Sequence, residues 1–418
     1  MRTAKNILII LSDLHLSAVQ DINSSHCVAR EGFHYDAAFS HFIDHLLARV
    51  KSEGAECQIL ILGDFLDFLH TKVPLTESNF LTTTEASSLQ KLKAILRAHT
   101  LFFEALKRFA ATGFRLSIMP GNHDIDLMRP AVQQVLKESI KTDSLTNIHF
   151  HSWIYHIPGV LYAEHGHQYH DMNAYTTLLV PSRTGNENEL ELPVGAYFDL
   201  YLFHLIERVK PPTENIYAPL RYLFSSYLKQ PLKFITTFPD ICNFLWSVFR
   251  QFFYRGSRQF RMTRQKYQEK VLSSYAASTG LSYESCIALD QLAEVHNNQM
   301  VKRLLSNALF KNKGHPIKTG YLYPKALAIS KLLSSEQKEV PFYLFGHSHQ
   351  QAKVALDGQF DRFYLNSGTW SSPSYPGSPG DRSLFPFVEI EWENNKRPTA
   401  TLMQWDETKQ KPVQLGEH

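Results

Sequence analysis

Apolar positions in the first 170 residues follow two rhythms. Residues 7–12 and 59–62 are short unbroken apolar runs, the pattern of strands buried on both faces, and residues 114–119 form a third run. Between the first two, Phe39, Phe42, Ile43, Leu46, Leu47 and Val50 recur at three- and four-residue spacing, which predicts a helix with one buried face. Leu92, Ile95, Leu96, Phe103 and Leu106 predict a second helix, and two more β runs are expected at about 148–164. Strand and helix therefore alternate, the signature of an α/β domain. From about 341 the β pattern returns, at 342–345, 352–356, 363–366, 386–391 and 399–403. The stretch between differs: aromatic, basic, mostly helical, and cut by Pro211, Pro212, Pro219, Pro231 and Pro239. The expected organisation is one domain in two pieces, residues 1–171 and 336–418, interrupted by a helical insert at 172–335.

Composition narrows this picture slightly. The 44% hydrophobic content supplies a full core, and a net charge of +3 is too small to require a polyanionic partner for the whole chain. Cys27, Cys57, Cys242 and Cys286 lack Cys-x-x-Cys spacing, so neither a disulfide framework nor a cysteine zinc site is expected, and a reducing, cytoplasmic setting is. The apolar run 7–11 is too short for a secretory signal and leads straight into Asp13 and His15. No apolar run reaches the roughly 18 residues of a membrane span.

The early strands all end in loops rich in Gly, Asp, Asn or His, where ligands of open α/β sheets collect. Five clusters stand out. Asp13 and His15 follow the first strand; Asp64 and Asp67 follow Gly63; Asn122, His123 and Asp124 follow Gly121. His165 and His167 flank Gly166, and His347 and His349 follow Gly346. Asp13, His15, Asp64, Asn122, His165, His347 and His349 form a mixed O/N donor set, suited to Mn²⁺, Fe, Zn²⁺ or Co²⁺. Seven donors exceed what one ion with an open position needs. They suffice for two ions if one carboxylate bridges, and two such ions can clamp a phosphoryl group. Singly, each cluster has a bland reading: Asp13 as a turn residue, Asp64 as a helix cap. Their joint occurrence at strand ends favours a site.

In that order the motifs D-x-H, G-D-x-x-D, G-N-H-D, H-G-H and G-H-x-H resemble the calcineurin-like metallophosphoesterases, over about residues 1–170 and 340–370. The resemblance implies a four-layer sandwich of two mixed β-sheets flanked by helices, with the insert as a helical cap. It implies Asp13, His15 and His349 on one metal, Asp64 bridging, and Asn122, His165 and His347 on a second, Mn²⁺ being the first expectation. A hydroxide held between the ions would attack phosphorus, with His123 serving the leaving group or the phosphoryl oxygens. Asp124 would orient His123 by accepting from its other ring nitrogen, and Asp67 would cap the following turn. Asn366, Gly368 and Trp370 resemble a loop that packs against such a site.

The substrate is less sharply drawn. The expectation is a phosphate ester or diphosphate, on a small phosphorylated molecule or a lipid- or nucleotide-linked one. A nuclease or cyclic-nucleotide phosphodiesterase is the alternative within this chemistry, and a non-catalytic scaffold the alternative outside it. His167 and Arg183 are candidate substrate contacts. Residues 201–270 hold 12 Lys/Arg against 4 Asp/Glu and 16 aromatics, a composition that fits peripheral contact with an anionic membrane, or nucleic acid less readily. UDP-diacylglucosamine hydrolases carry a helical lid at the same place, but this insert is larger, and His123 stands where those enzymes typically have Arg. His41 and His45, four apart, read as a solvated helix face.

Overall fold

Strand β1 (Asn6–Leu11) shows why an unbroken apolar run is needed. Ile7, Ile9 and Leu11 pack with Phe39, Phe42, Phe102 and Leu106 on one side. Leu8 and Ile10 pack with Leu161, Phe342, Leu344 and Leu365 on the other. Side chains alternate faces along a strand, so covering both faces leaves no polar position. Strand β4 (Glu56–Leu62) repeats the arrangement, with Ile59 and Ile61 on the helix side and Leu60 and Leu62 on the sheet side.

The computed structural model describes the chain except residues 1–4, 21–26, 30–31, 77–80, 142–146, 184–185, 198, 202–237, 240–241, 243–245, 247–248, 250–252, 254–256, 294–319, 357, 372–383, 395 and 416–418. After β1 come β2 (Ala18–Gln20) and β3 (Cys27–Ala29), then, following β4, β5 (Arg115–Met119), β6 (Asn147–Phe150), β7 (Tyr155–Ile157) and β8 (Leu161–Ala163). A short pair follows, β9 (Ser182–Arg183) with β10 (Asn186–Leu190). The C-terminal strands are β11 (Phe342–Phe345), β12 (Ala352–Leu356), β13 (Gln359–Asn366), β14 (Leu384–Trp392), β15 (Thr399–Asp406) and β16 (Lys411–Gln414).

Two mixed sheets result: seven strands in the order β16-β15-β14-β1-β4-β5-β6, and five in the order β12-β13-β11-β8-β7. The runs β1-β4-β5-β6 and β8-β11-β13 are parallel, so their carboxyl ends lie together. Helices α1 (Asp36–Glu53), α2 (Glu85–Ala98), α3 (Thr100–Ala110) and α4 (Pro130–Ile140) cover the outer face of the larger sheet. The helix Tyr323–Ser335 lies against the smaller one, where Tyr323 Oη donates to Ala355 O at 3.1 Å and Arg362 reaches Ser330 Oγ at 3.1 Å. Mixed α/β architecture with two packed sheets and outer helices is thus the observed fold.

The chain divides into two units, Met1–Gly166 with Lys318–His418, and His167–Ile317. The helix Tyr323–Ser335, expected in the insert, belongs to the first unit because its buried side, with Ala326, Ile329 and Leu333, meets β11 and β13. One expected helix is two: α2 ends and α3 begins at His99, whose φ of −115° and ψ of 42° leave the helical region. The fully buried His99 ring explains the break. It lies 3.1 Å from Asp36 Oδ1 and 3.0 Å from Ser17 O.

Phe39 and Phe102 stack at 3.8 Å between centroids, both fully buried beneath β1. Truncating Phe39→Ala is expected to cost about 3–5 kcal/mol, read from the urea midpoint. A loss below about 1 kcal/mol would place the stabilising core elsewhere.

Candidate metal centre

The loops leaving the parallel strands continue the strand pairing before they turn. Asp13 N donates to Gly63 O (3.1 Å), His15 N to Asp64 O (2.9 Å), and Gly346 N to His165 O (3.1 Å). Each turn then needs a residue in the left-handed region. Seven non-glycine residues have positive φ among those described: Asp13, His15, Asp64, His347 and His349, at 49–63°, with Gln337 and Gln410. Five of the seven are therefore candidate ligands. Such a conformation costs an L-residue roughly 1–2 kcal/mol, and strain of this kind concentrates at functional sites.

The motif glycines are demanded by space. A Cβ on Gly121 would strike Asp64 Oδ1 and lie 2.7 Å from His165 Nε2. One on Gly63 would strike the His165 ring, and one on Gly346 would lie 2.8 Å from Asp13 Oδ2. These three glycines let the backbone close around the acid and imidazole groups.

Among the described residues four sets of three side chains come close enough to hold an ion, and two of them consist entirely of expected ligands. In the first, Asp13, His15 and His349 bring their ligand atoms within 4.8 Å of one another. His349 Nε2 lies 3.2 Å from Asp13 Oδ1 and 3.2 Å from His15 Nε2. In the second, Asp64, His165 and His347 do the same. Asp64 Oδ2 stands 3.3 Å from His165 Nε2 and 3.8 Å from His15 Nε2, between the two groups. His165 Nδ1 lies 2.8 Å from Leu62 O, which turns Nε2 toward the carboxylate. Asn122 is buried in the loop whose neighbour His123 donates its backbone N–H to Asp64 Oδ1 at 2.8 Å. This donor chemistry, oxygen and imidazole nitrogen in a closely built cradle, fits divalent transition ions. The buried Asp/His groups can hold a metal ion.

Charge is balanced locally. Burial opposes ionisation of Asp64, but the facing His165 and His123 outweigh it and hold the carboxyl well below its ordinary range. Burial also opposes charge on His165, yet Asp64 pushes its pKa up to about 9. His15 is shifted down, chiefly by burial.

The role expected of Asp124 falls to Asp67. His123 Nδ1 lies 3.2 Å from Asp67 Oδ1. Asp124 instead turns toward the backbone, accepting from Gly121 N (2.5 Å), Phe65 N (2.8 Å), Leu66 N (3.2 Å) and Asp64 N (3.3 Å). It ties the loops after β4 and β5 together and touches no imidazole this way. Burial and the charge of Asp64 push Asp124 up to about 7. Asp67 does cap its turn, through His70 N at 2.9 Å, and it also gathers three imidazoles. His70 Nδ1 is 2.7 Å away and His15 Nδ1 3.7 Å. Burial works against the Asp67 charge, but His70 and His123 hold its carboxyl well below the usual range. For His123, burial is outweighed by Asp67 and Asp64, which raise it to about 9.

His70 escaped the sequence reading. Its signal was the Asp67-x-x-His70 spacing on a turn directly after a motif strand. The loop after β13 supports the site as expected: Asn366 Nδ2 donates to Gly346 O (2.7 Å), Thr369 Oγ1 to Asp13 O (2.6 Å), and Trp370 is fully buried. His41 is 43% exposed and pairs with Glu407 at 2.7 Å. His167 belongs to the second unit, buried with its ring edge-on to Tyr175. Arg183 lies in β9, and its side chain is outside the described residues.

No protein-family model matches the chain, and no curated protein matches it.

Mn²⁺ added to metal-stripped protein at a hundred times its Kd is expected to contribute about 2.7 kcal/mol of stability, seen as a higher unfolding temperature. The shift should disappear in Gly121→Ala, whose added methyl collides with Asp64. An unchanged unfolding temperature in the wild type would show that these groups hold no ion.

Proposed function

We propose that the protein is a dinuclear-metal phosphoesterase of the calcineurin-like type. The observation that carries this reading is the position of Asp64 between two His/Asp groups, with five of the candidate ligands in left-handed backbone. A fold built only for stability would have little use for that strain. Asp13, His15 and His349 would hold one ion and Asn122, His165 and His347 the other, with Asp64 shared. Mn²⁺ is the first candidate, and Fe, Zn²⁺ or Co²⁺ suit the same donors. Bound there, the pair would supply an activated water at neutral pH and a clamp for the phosphoryl oxygens.

The remaining chemistry belongs to the chain. Asp67 fixes the His123 ring through Nδ1, so Nε2 points away from the carboxylate. From that position His123 donates a proton to the departing oxygen or a hydrogen bond to a phosphoryl oxygen. Its backbone N–H, bound to Asp64, keeps the ring beside the ligand groups. Asp67 acts as a positioning residue, and Asp124 as the tie that holds the two loops in register. The substrate class this suits is a phosphate ester or diphosphate, on a nucleotide-linked or amphiphilic molecule.

Hydrolysis of bis-p-nitrophenyl phosphate and p-nitrophenyl phosphate, by metal-stripped protein titrated with Mn²⁺, tests this. Turnover should require the metal and vanish in Asp64→Ala. His123→Ala is expected to lose about 10²–10⁴-fold in kcat for an alkyl leaving group and much less for p-nitrophenolate, which departs without a proton. Asp67→Asn should reproduce that leaving-group dependence more weakly, and Asp124→Asn should not. Protein that loads Mn²⁺ yet cleaves neither the nitrophenyl esters nor a nucleoside diphosphate ester would defeat the proposal.

A further inference from the structure

The second unit carries an exposed aromatic face. Phe238, Trp246, Phe249 and Phe253 are 50%, 69%, 53% and 71% exposed. They account for all the exposed Phe and Trp among the large hydrophobic side chains of the described residues. Each has helical backbone, as does the exposed Cys242. The five are spaced 4, 4, 3 and 4 residues apart. In sequence that is the spacing of one helical face, an arc of roughly 80° at about 100° per residue. The Phe249 and Phe253 rings lie 6.4 Å apart, nearly parallel, along this stripe.

A helical core explains an aromatic stripe only when the stripe is covered, and this one is open to solvent. The surrounding charge says what would cover it. From residue 238 to residue 268 the chain has Arg250, Arg255, Arg258, Arg261, Arg264 and Lys266 against one acid, Asp240. Arg264 is engaged within its own unit, 2.5 Å from Asp290 and 2.7 Å from Thr176 O. Arg258 and Arg261 stand exposed on the helix Arg258–Lys266, beside Met262, itself 49% exposed. Exposed Phe and Trp in a stretch with this excess of cations are the pattern of an interfacial segment on anionic lipid. Nucleic acid would also attract the cations. Single-stranded bases would also stack on the rings, so the binding test below carries a nucleic-acid arm.

We propose that the face formed by Phe238, Trp246, Phe249 and Phe253 docks on an anionic lipid surface. The aromatic rings enter the boundary between headgroups and acyl chains, and the flanking arginines meet the lipid phosphates. Among the described residues no helix is long and apolar enough to cross a membrane, and the contact proposed is peripheral. It holds whether or not the first unit is a phosphoesterase.

The test uses the full chain and needs no turnover. Co-sedimentation with phosphatidylcholine vesicles is compared with vesicles containing about 30% phosphatidylglycerol, at low salt and at about 0.5 M salt. Binding should be at least roughly tenfold tighter to the anionic vesicles and should weaken with salt. The triple variant Trp246→Ser, Phe249→Ser, Phe253→Ser alters only exposed positions, and its binding should fall by a similar factor. Brominated lipid supplies an independent readout on unmutated protein. It should quench Trp246, the one exposed tryptophan of the described residues, since Trp153, Trp370 and Trp405 are buried and Trp392 is half-buried in the other unit, and the quenching should be lost in Trp246→Phe while binding remains. Failure of the wild type to bind anionic vesicles would overturn the proposal. So would a triple variant that binds as the wild type does, or quenching that survives Trp246→Phe. Salt-sensitive binding of DNA or RNA, lost in the triple variant while vesicles are ignored, would reassign the face and overturn it too.

Discussion

Four buried carboxylates, Asp13, Asp64, Asp67 and Asp124, crowd the carboxyl ends of the strands, and each is at most 5% exposed. Buried charge is tolerable only when it is paired or hydrogen-bonded. Each acid here meets that condition differently. Asp13 takes His349 and the His347 N–H. Asp64 takes His165 and the His123 N–H. Asp67 takes His70 and His123, and Asp124 takes four backbone N–H groups. Change any one partner and a like-charged neighbour is left without its compensation. The arrangement of loops around the site follows from this requirement, and the same requirement makes it a place for cations.

Holding those acids and imidazoles together demands strained backbone, and strain persists only on a rigid base. The base is the pair of sheets. β1 and β4 are covered on both faces, by helices on one side and the second sheet on the other, so their ends cannot drift. The extra pairing beyond each strand carries that rigidity into the turns at Asp13, His15 and Asp64. The loop after β13 adds Asn366 and Thr369 from the C-terminal part of the chain, locking the turn at Gly346 to the one at Asp13.

The two units answer to different physics. In the first, nearly every large apolar side chain is internal, and the buried carboxylates of the strand-end loops are paired. In the second, a buried network ties Arg264 to Asp290 and Thr176, while a neighbouring stretch turns Phe and Trp outward among arginines. The groups that can hold a metal ion lie in the one, and the exposed aromatic side chains in the other.

Much of the fold was legible from spacing alone. Unbroken runs at 7–12 and 59–62 meant strands covered on both sides, and the repeat from Phe39 to Val50 meant one helical face. The five clusters at strand ends named every member of the two ligand groups around Asp64, because parallel strands bring their ends to one edge whatever the loops do. What spacing could not reveal was choice of partner. Asp124 follows His123 directly, yet its φ of −130° turns it toward backbone N–H groups, and Asp67, 56 residues earlier, reaches the ring. His99 breaks a periodic apolar pattern because Asp36 and Ser17 lie where its ring must point. The helix Tyr323–Ser335 reads like the insert before it and joins the first unit through the surface it meets. Periodicity is a property of the local backbone, written in the order of residues. Partnership is set by which loops arrive at the same point in space, and only the tertiary structure decides that.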